Sequence, residues 1–306
     1  MTTVLILYAA LSIAAAICAS WLFRRVLVRF SPGNLSEEFA TAPLSACFGM
    51  LVILIYVLVA ALAPLLAPYE PDHIVGGEFL PWSTMHLLGT DNLGRDMLSR
   101  LVYGARNTVS IAFLSTAIAF IAGTSLGLLA ATVGGWLDQA LSRFIDVIIT
   151  IPGLVFSLLL LTVFGTSISI LILVIAVIDS SRVFRLARAV AIDVVAMDYI
   201  EAARLRGETL WRLITREILP NATAPLVAEF GLRFCFVFLA ISALSFLGVG
   251  IQPPTADWGS MVRENAALIT FGDITPLLPA GCIAVLTVAV NFVVDWMLHR
   301  ASGLKE

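Results

Sequence analysis

Nine of the chain's few charged residues fall between Asp193 and Pro220, an island of helix-forming sequence inside an otherwise apolar protein. Side chains of this kind make polar contacts with another macromolecule or with a bilayer surface. They include no nucleophile set beside a base. The remainder of the chain offers no competing chemistry. His73, His86 and His299 are scattered, and Cys18, Cys47, Cys235 and Cys282 lie in apolar runs without CxxC spacing. These cysteines read as small buried hydrophobes rather than disulfides or metal ligands. No GxxxxGK[ST] phosphate loop is present, so the chain cannot itself cradle ATP. Neither a Ser/His pair nor paired carboxylates converge on one place. Glu229 and Arg233 stand four residues apart, in the order that lets them meet on a helix. They read as an ion pair steadying the helix where it enters the membrane, with a transport role as the alternative, and Asp146 and Asp295, each near the cytosolic end of its span, read the same way.

The island is expected to fold as two helices. The first runs from about Val190 to Arg206. Gly207 supplies the joint for a sharp turn, and Glu208 begins the second helix at its positive end. Leu210, Trp211, Ile214 and Ile218 form the apolar side of that second helix, and Pro220 ends it. Ala202 and Ala203 leave a low surface that a groove of another protein can receive, with Glu201, Arg204 and Arg206 beside it for polar contacts. On its own, the island fits equally an amphipathic segment lying on the bilayer.

The elements that position these residues must be membrane helices. Sixty per cent of residues are hydrophobic and 13% charged, and the mean hydropathy is +1.00; a soluble domain carries about a quarter charged residues. The net charge of −3 says little beside where the charges lie. Runs of about 20 apolar residues mark spans at 4–23, 44–66, 109–133, 144–164, 168–187, 225–248 and 276–298. The fifth is the weakest, because it must continue past Asp179 and Arg182. Placing the island in the cytosol puts 13 basic residues on the inner side. These are Arg24, Arg25, Arg29, Arg143, Arg182, Arg185, Arg188, Arg204, Arg206, Arg212, Arg216, Arg300 and Lys305. Four (Arg95, Arg100, Arg106 and Arg263) remain outside, the asymmetry of the positive-inside rule. The C-terminus is then inside and the N-terminus outside. The run 4–23 has no preceding basic residue and is followed by Arg24 and Arg25, which suits a retained anchor rather than a signal peptide. Ser115, Ala119, Gly123, Gly127 and Ala131 form a ridge of small residues for close helix packing. Pro152 should kink its span or leave a carbonyl free.

Two outer segments carry a family resemblance. Residues 86–106 (HLLGTDNLGRDMLSRLVYGAR) and 244–261 (LSFLGVGIQPPTADWGSM) resemble sequences of the C-type permease subunit of dipeptide, oligopeptide and nickel ABC importers. The island is similar to that family's coupling loop, through Glu201-Ala202-Ala203, Gly207 and Ile218-Leu219-Pro220. Asp138, Arg143, Asp146, Pro152, Arg185, Arg188, Tyr199 and Asn221 fit the family spacing as well. Gly89 and Gly94 punctuate the first outer segment, Asp96 and Arg100 are expected to pair on a short amphipathic helix, and Pro253-Pro254 to fix an extended loop. The extra run 4–23 departs from the six spans usual in the family, as do Ser180, Ile241 and Val294 from its common residues.

The resemblance implies an all-α integral membrane protein with the type I ABC importer transmembrane fold, six family spans plus one N-terminal helix. Its parts would be the extra helix and linker (1–43), the first family span with the outer signature loop (44–108), the core (109–300) with coupling loop 189–222, and a cytosolic tail (301–306). Glu201, Ala202, Ala203, Arg204, Gly207, Ile218 and Pro220 would couple to an ATPase. Gly89, Asp91, Gly94, Arg95, Asp96, Gln252, Pro253, Trp258 and Gly259 would form the periplasmic signature and gate. The chain would be a non-catalytic permease of the bacterial inner membrane, binding no cofactor, with ATP and Mg held by partner subunits. Implied partners are a homologous B-type permease, two cytosolic ABC ATPases, a periplasmic or lipid-anchored solute-binding protein and membrane lipid, with no nucleic acid. Di- or oligopeptides are the implied cargo, with nickel chelates or another small solute as the alternative. A secondary transporter is the rival class; it predicts inverted repeats and broken helices around midplane charges, whereas no convincing repeat is seen and the clearest membrane charges are expected towards the cytosolic ends.

Overall fold

The structure is a computed structural model that describes residues 2–301. The helices are α1 (Thr2–Phe30), α2 (Gly33–Thr41), α3 (Leu44–Ala61), α4 (Ala63–Leu66), α5 (Met97–Val133), α6 (Gly135–Thr150) and α7 (Gly153–Phe164). After them come α8 (Ile168–Val195), α9 (Asp198–Leu205), α10 (Leu210–Arg212), α11 (Leu219–Phe246), α12 (Trp258–Asn265) and α13 (Leu277–Ala301). Among the described residues, α3, α5, α13 and the stretch Leu210–Phe246 are long and apolar enough to cross a membrane. The pair α6–α7 would be a fifth crossing if a bent pair counts as one. Helix α8 runs unbroken through Asp179 and Arg182, as expected for 168–187, but its charges keep it out of that apolar set. The run 4–23 is helical within α1, and residues 302–306 of the expected tail lie outside the described residues.

The chain divides into two compact parts, one of residues up to 58 with those from 284 onward, the other of 59–283. In the first, Phe48 meets Phe292 edge-on with ring centroids 6.5 Å apart, and Phe39 stacks near Trp296 at 6.2 Å. Arg300 pairs with Glu38. Gly49 lets the backbone of α3 lie against the Ala289 carbonyl, where any side chain would collide.

The second part is organised by α5 against α8. A helix of 37 residues is about 55 Å long and overreaches a hydrocarbon core of about 30 Å, so α5 carries the outer signature residues on its own N-terminal extension. The separate short amphipathic helix expected there is therefore part of α5. The small-residue ridge faces α8. A Cβ on Gly123 would stand 2.5 Å from the Ser180 carbonyl oxygen, and one on Gly127 2.8 Å from the Ala187 Cβ. Backbones this close gain dispersion contacts that lipid alone does not drive.

Two sequence expectations about proline need correction. The span 144–164 is not a kinked single helix, for α6 and α7 meet at 88°. Ile151 is extended (ψ 129°), as a residue before proline prefers, and Pro152 follows with ψ 122°. Nor does Pro220 end a helix. Leu213–Ile218 form a wide π turn in which the Leu219 N–H reaches the Ile214 carbonyl. Pro220 then sits in the first turn of α11, and the wide turn before it lets the helix run on past the missing N–H.

Candidate functional site

At one end of the second part, α8 stops at Val195 and the chain turns into α9, so the first island helix is the eight-residue α9 rather than 190–206. Asp198 and Glu201 lie in its first turn, opposite in charge to the helix end they occupy. Gly207 has φ 76°, a left-handed conformation that other residues adopt with strain. Its N–H bonds the Arg204 carbonyl at 2.9 Å, and the Glu208 N–H bonds that of Ala203 at 3.2 Å. Thr209, not Glu208, caps the next helix by accepting from the Arg212 N–H.

An apolar core seats this elbow on α5 and α8: Leu128, Ala191, Val194, Ile200, Ala203, Leu213 and Ile218 are all buried together. Of the expected alanine pair, only Ala202 faces outward; Ala203 is one residue round the helix and inside. The expected apolar side of the second helix divides likewise. Ile218 is buried and Ile214 packs at the edge of the core, but Leu210 and Trp211 project. Leu205 is 83% exposed and Trp211 76%, while Glu201, Arg204 and Arg206 are exposed beside them. Two polar links tie the elbow to membrane helices. Arg204 Nη2 donates to the Thr132 carbonyl, in the last turn of α5, at 2.8 Å, and Asn221 Nδ2 donates to Tyr199 Oη at 3.1 Å. Nearby, Arg188 grips Asp138 with two bonds, one of 2.6 Å, and Arg185 meets Asp146 at 2.6 Å.

The outer residues converge at the other end. Asp91 Oδ1 accepts from the N–H groups of Leu93 and Arg95, both at 2.9 Å, and Oδ2 from Arg95 Nε at 2.8 Å and from Arg100. Glu264 of α12 receives Arg95 at 3.1 Å and Arg100 at 2.8 Å. Burial pushes the Asp91 carboxyl up, but the Arg95 N–H and the Arg100 charge outweigh it and hold the group below the usual carboxylate range. Asp96 does not pair with Arg100. It caps α5, accepting from the Ser99 N–H at 2.8 Å and hydroxyl at 2.7 Å, so its carboxylate is turned back on the chain. Gly89 (φ 74°) and Gly94 (φ 73°) shape the turn around it.

Trp258 is buried, donates from Nε1 to the Leu101 carbonyl at 3.0 Å, and lies close against Gly104, where a Cβ would come within 2.6 Å of its ring. Asp257 caps α12 through the Ser260 N–H at 2.9 Å and accepts from Thr108 at 2.8 Å. Its own burial raises its carboxyl above the usual range, against those hydrogen bonds. Gly259 lies against the Ser242 carbonyl. Gln252 holds the loop by donating to the carbonyls of Gly248 at 3.1 Å and Gly250 at 2.9 Å. The Pro253–Pro254 peptide is cis, and both prolines are exposed. Sequence reasoning missed Glu264, Asp257, Thr108 and Gly104, whose partners lie far along the chain.

Between the ends, the expected Glu229–Arg233 pair forms, at 2.7 Å. It does not stand alone: Asp179 lies 3.7 Å from Arg233 and 3.0 Å from Arg182.

Comparison with known proteins bears on this arrangement. Residues 123–302 match the family described as binding-protein-dependent transport system inner membrane component, and residues 45–88 the N-terminal TM domain of oligopeptide transport permease C. The dipeptide transport system permease protein of Alkalihalophilus pseudofirmus is 32% identical, covering 82% of this chain and 83% of its own. That of Haemophilus influenzae is 34% identical, covering 82% and 87%. A crystal structure described as an amino acid ABC transporter with histidines covers 66% of this chain and 94% of its own at TM-score 0.50. Its 21% identity makes the likeness one of fold.

Proposed function

This chain belongs to the family of binding-protein-dependent transport system inner membrane components, and on that premise we propose how its two ends serve transport. It is a permease subunit of an ABC importer, with the type I importer fold and a multi-pass place in the bacterial inner membrane. Its cargo is di- or oligopeptide, a reading supported by the dipeptide permeases among its relatives; nickel is not favoured. The work of ATP hydrolysis falls to other subunits.

The chain forms one half of a heterodimeric pathway with a homologous permease. Two cytosolic ATPases and a solute-binding protein complete the assembly. The elbow faces the cytosol, with the C-terminus inside and the N-terminus outside. One observation carries this reading. The elbow has an apolar core locked onto α5 and α8, yet leaves Ala202, Leu205 and Trp211 exposed. A surface lying on lipid would not need rigid seating; a surface that transmits force does. ATPase closure moves α9, the Arg204–Thr132 and Tyr199–Asn221 links pass the displacement to α5 and α11, and those helices reach the outer end. There, Gln252, Pro253 and the residues around Asp91 and Trp258 shape the entrance to the pathway.

Replacing Gly207 with leucine tests the docking role. An added Cβ meets nothing within 4 Å, so the strain is in the backbone, about 1–2 kcal/mol for a left-handed residue. ATPase copurification and substrate-stimulated ATP hydrolysis should both fall, and Gly207→Asn, which tolerates this conformation better, should lose less. Unchanged values in the leucine variant would refute the assignment.

A further inference from the structure

We propose that Asp179, Arg182 and Arg233, with Glu229 behind them, form a resting site inside the membrane for the zwitterionic main chain of a peptide in transit. This inference rests on the peptide-importer reading above and adds where, within this chain, the cargo is held.

The three residues line a cavity of about 370 Å³ with Gly153, Ser157 and Phe236, near the lower end of the ~300–1,000 Å³ typical of small-ligand sites. Its depth is set by helix geometry. Asp179 is about 16 Å from the outer start of α8 and Arg233 about 20 Å from the outer end of α11, at 1.5 Å per residue. Asp179 is therefore near the middle of a core about 30 Å thick, and Arg233 about a third of the way in from the inner side. Ionisable groups at that depth carry a large desolvation cost, and they occur where a pathway or a relay needs them.

A structural ion pair needs one acid and one base. Here Asp179, Arg182 and Arg233 line one cavity while Glu229 holds Arg233 from behind, and the pairing is redundant. Asp179 is nearly buried and stands between two guanidiniums, Arg182 at 3.0 Å and Arg233 at 3.7 Å. Arg233 holds Glu229 as well, at 2.7 Å. The Arg182 side chain is still 42% exposed, at the open side of the cavity, where Leu154 and Phe236 are also exposed. This arrangement lets ion pairs be exchanged without leaving any charge bare. A peptide carboxylate settling on Arg182 and Arg233 would replace Asp179 as their partner. Asp179 would then be free to receive the peptide ammonium. The site is electrically balanced both empty and loaded, and its two signs match the two ends of a short peptide. Gly153 gives Arg182 room beside α7, for a Cβ there would lie 3.2 Å from Arg182 Nη2, a tight contact that the guanidinium would have to yield to. The break between α6 and α7 thus places a residue without a side chain under the guanidinium.

The test uses the whole transporter copurified with this chain, reconstituted in proteoliposomes with its binding protein. ATP-driven uptake of trialanine and ATP hydrolysis are measured in the same vesicles. Arg182→Gln removes one charge, and Leu154→Trp fills the cavity with no change of charge. Each should cut trialanine uptake per ATP at least tenfold while stimulated hydrolysis stays within twofold of wild type, and Arg182→Lys should restore part of the loss. Uptake per ATP within twofold of wild type in both variants would overturn the proposal, as would parallel loss of uptake and hydrolysis in both, which marks a purely structural role. A wild-type transporter that moves no trialanine fails differently, because it removes the peptide reading and this site together.

Discussion

Gly123→Ala adds one methyl group where the structure leaves no room for it. The new Cβ would stand 2.5 Å from the Ser180 carbonyl oxygen and 3.0 Å from the Phe184 nitrogen, both backbone atoms of α8. Neither atom can rotate away as a flexible side chain can, so α5 and α8 must separate by the better part of an ångström. Overpacking of this kind costs about 1–3 kcal/mol, against a gain of roughly 0.5–1 kcal/mol from replacing glycine in a helix interior. The net expectation is destabilisation of up to about 2.5 kcal/mol, centred on ~1 kcal/mol. Gly281→Ala in α13 is the control, since an added Cβ there meets nothing within 4 Å; it should keep the helix gain and stabilise. Thermal melting of the purified protein in detergent compares the two, and the prediction is a difference in sign. A Gly123→Ala protein that melts as high as Gly281→Ala would refute the argument that the ridge is a contact between backbones.

Other perturbations separate buried from exposed charge. Arg100→Met leaves Asp91 and Glu264 without one of their shared cations, and breaking a buried pair costs about 3–5 kcal/mol. Arg185→Met removes a partner from the exposed Asp146 pair and should cost no more than about 1 kcal/mol; melting of both variants checks the ranking. The lowered Asp91 carboxyl gives a pH signature. A carboxylate whose folded pKa is depressed stabilises above its unfolded value, about 3.9, and that contribution is lost as pH falls through the folded value. The melting difference between wild type and Asp91→Asn should be full at pH 7 and shrink below about pH 4. Asp257, raised by burial, has the opposite sign. Its contribution is present at low pH and lost as pH rises through its folded value, so Asp257→Asn should be tolerated better at neutral pH than at pH 4.

What the sequence made legible was local and periodic. Small residues every fourth position can only make a low ridge, and the structure puts α8 on it. Glu229 and Arg233 met because helical spacing leaves them little choice. Gly207 stood out because only a residue without Cβ suits a sharp turn between two helices, and its φ agrees. What stayed hidden depends on distance along the chain or on degree. Arg100 finds Glu264 across 164 residues, which no local pattern encodes, so the nearer Asp96 looked like its partner. A proline announces a missing N–H, but not whether neighbours permit a kink, the 88° break at Pro152 or the wide turn before Pro220. Ala202 and Ala203 are adjacent in sequence, yet about 100° apart around a helix. One therefore faces out and the other fills the core, a distinction that needs the position of α5 and α8.

The most direct measurement places a photo-crosslinking residue at Leu205 or Trp211 in the transporter assembled in its native membrane. The account predicts an adduct with the ATPase subunit, formed in inverted vesicles and weakened by Gly207→Leu. Adducts formed only with a protein on the outer face, or reaction of these positions with a membrane-impermeant reagent added to intact cells, would contradict it.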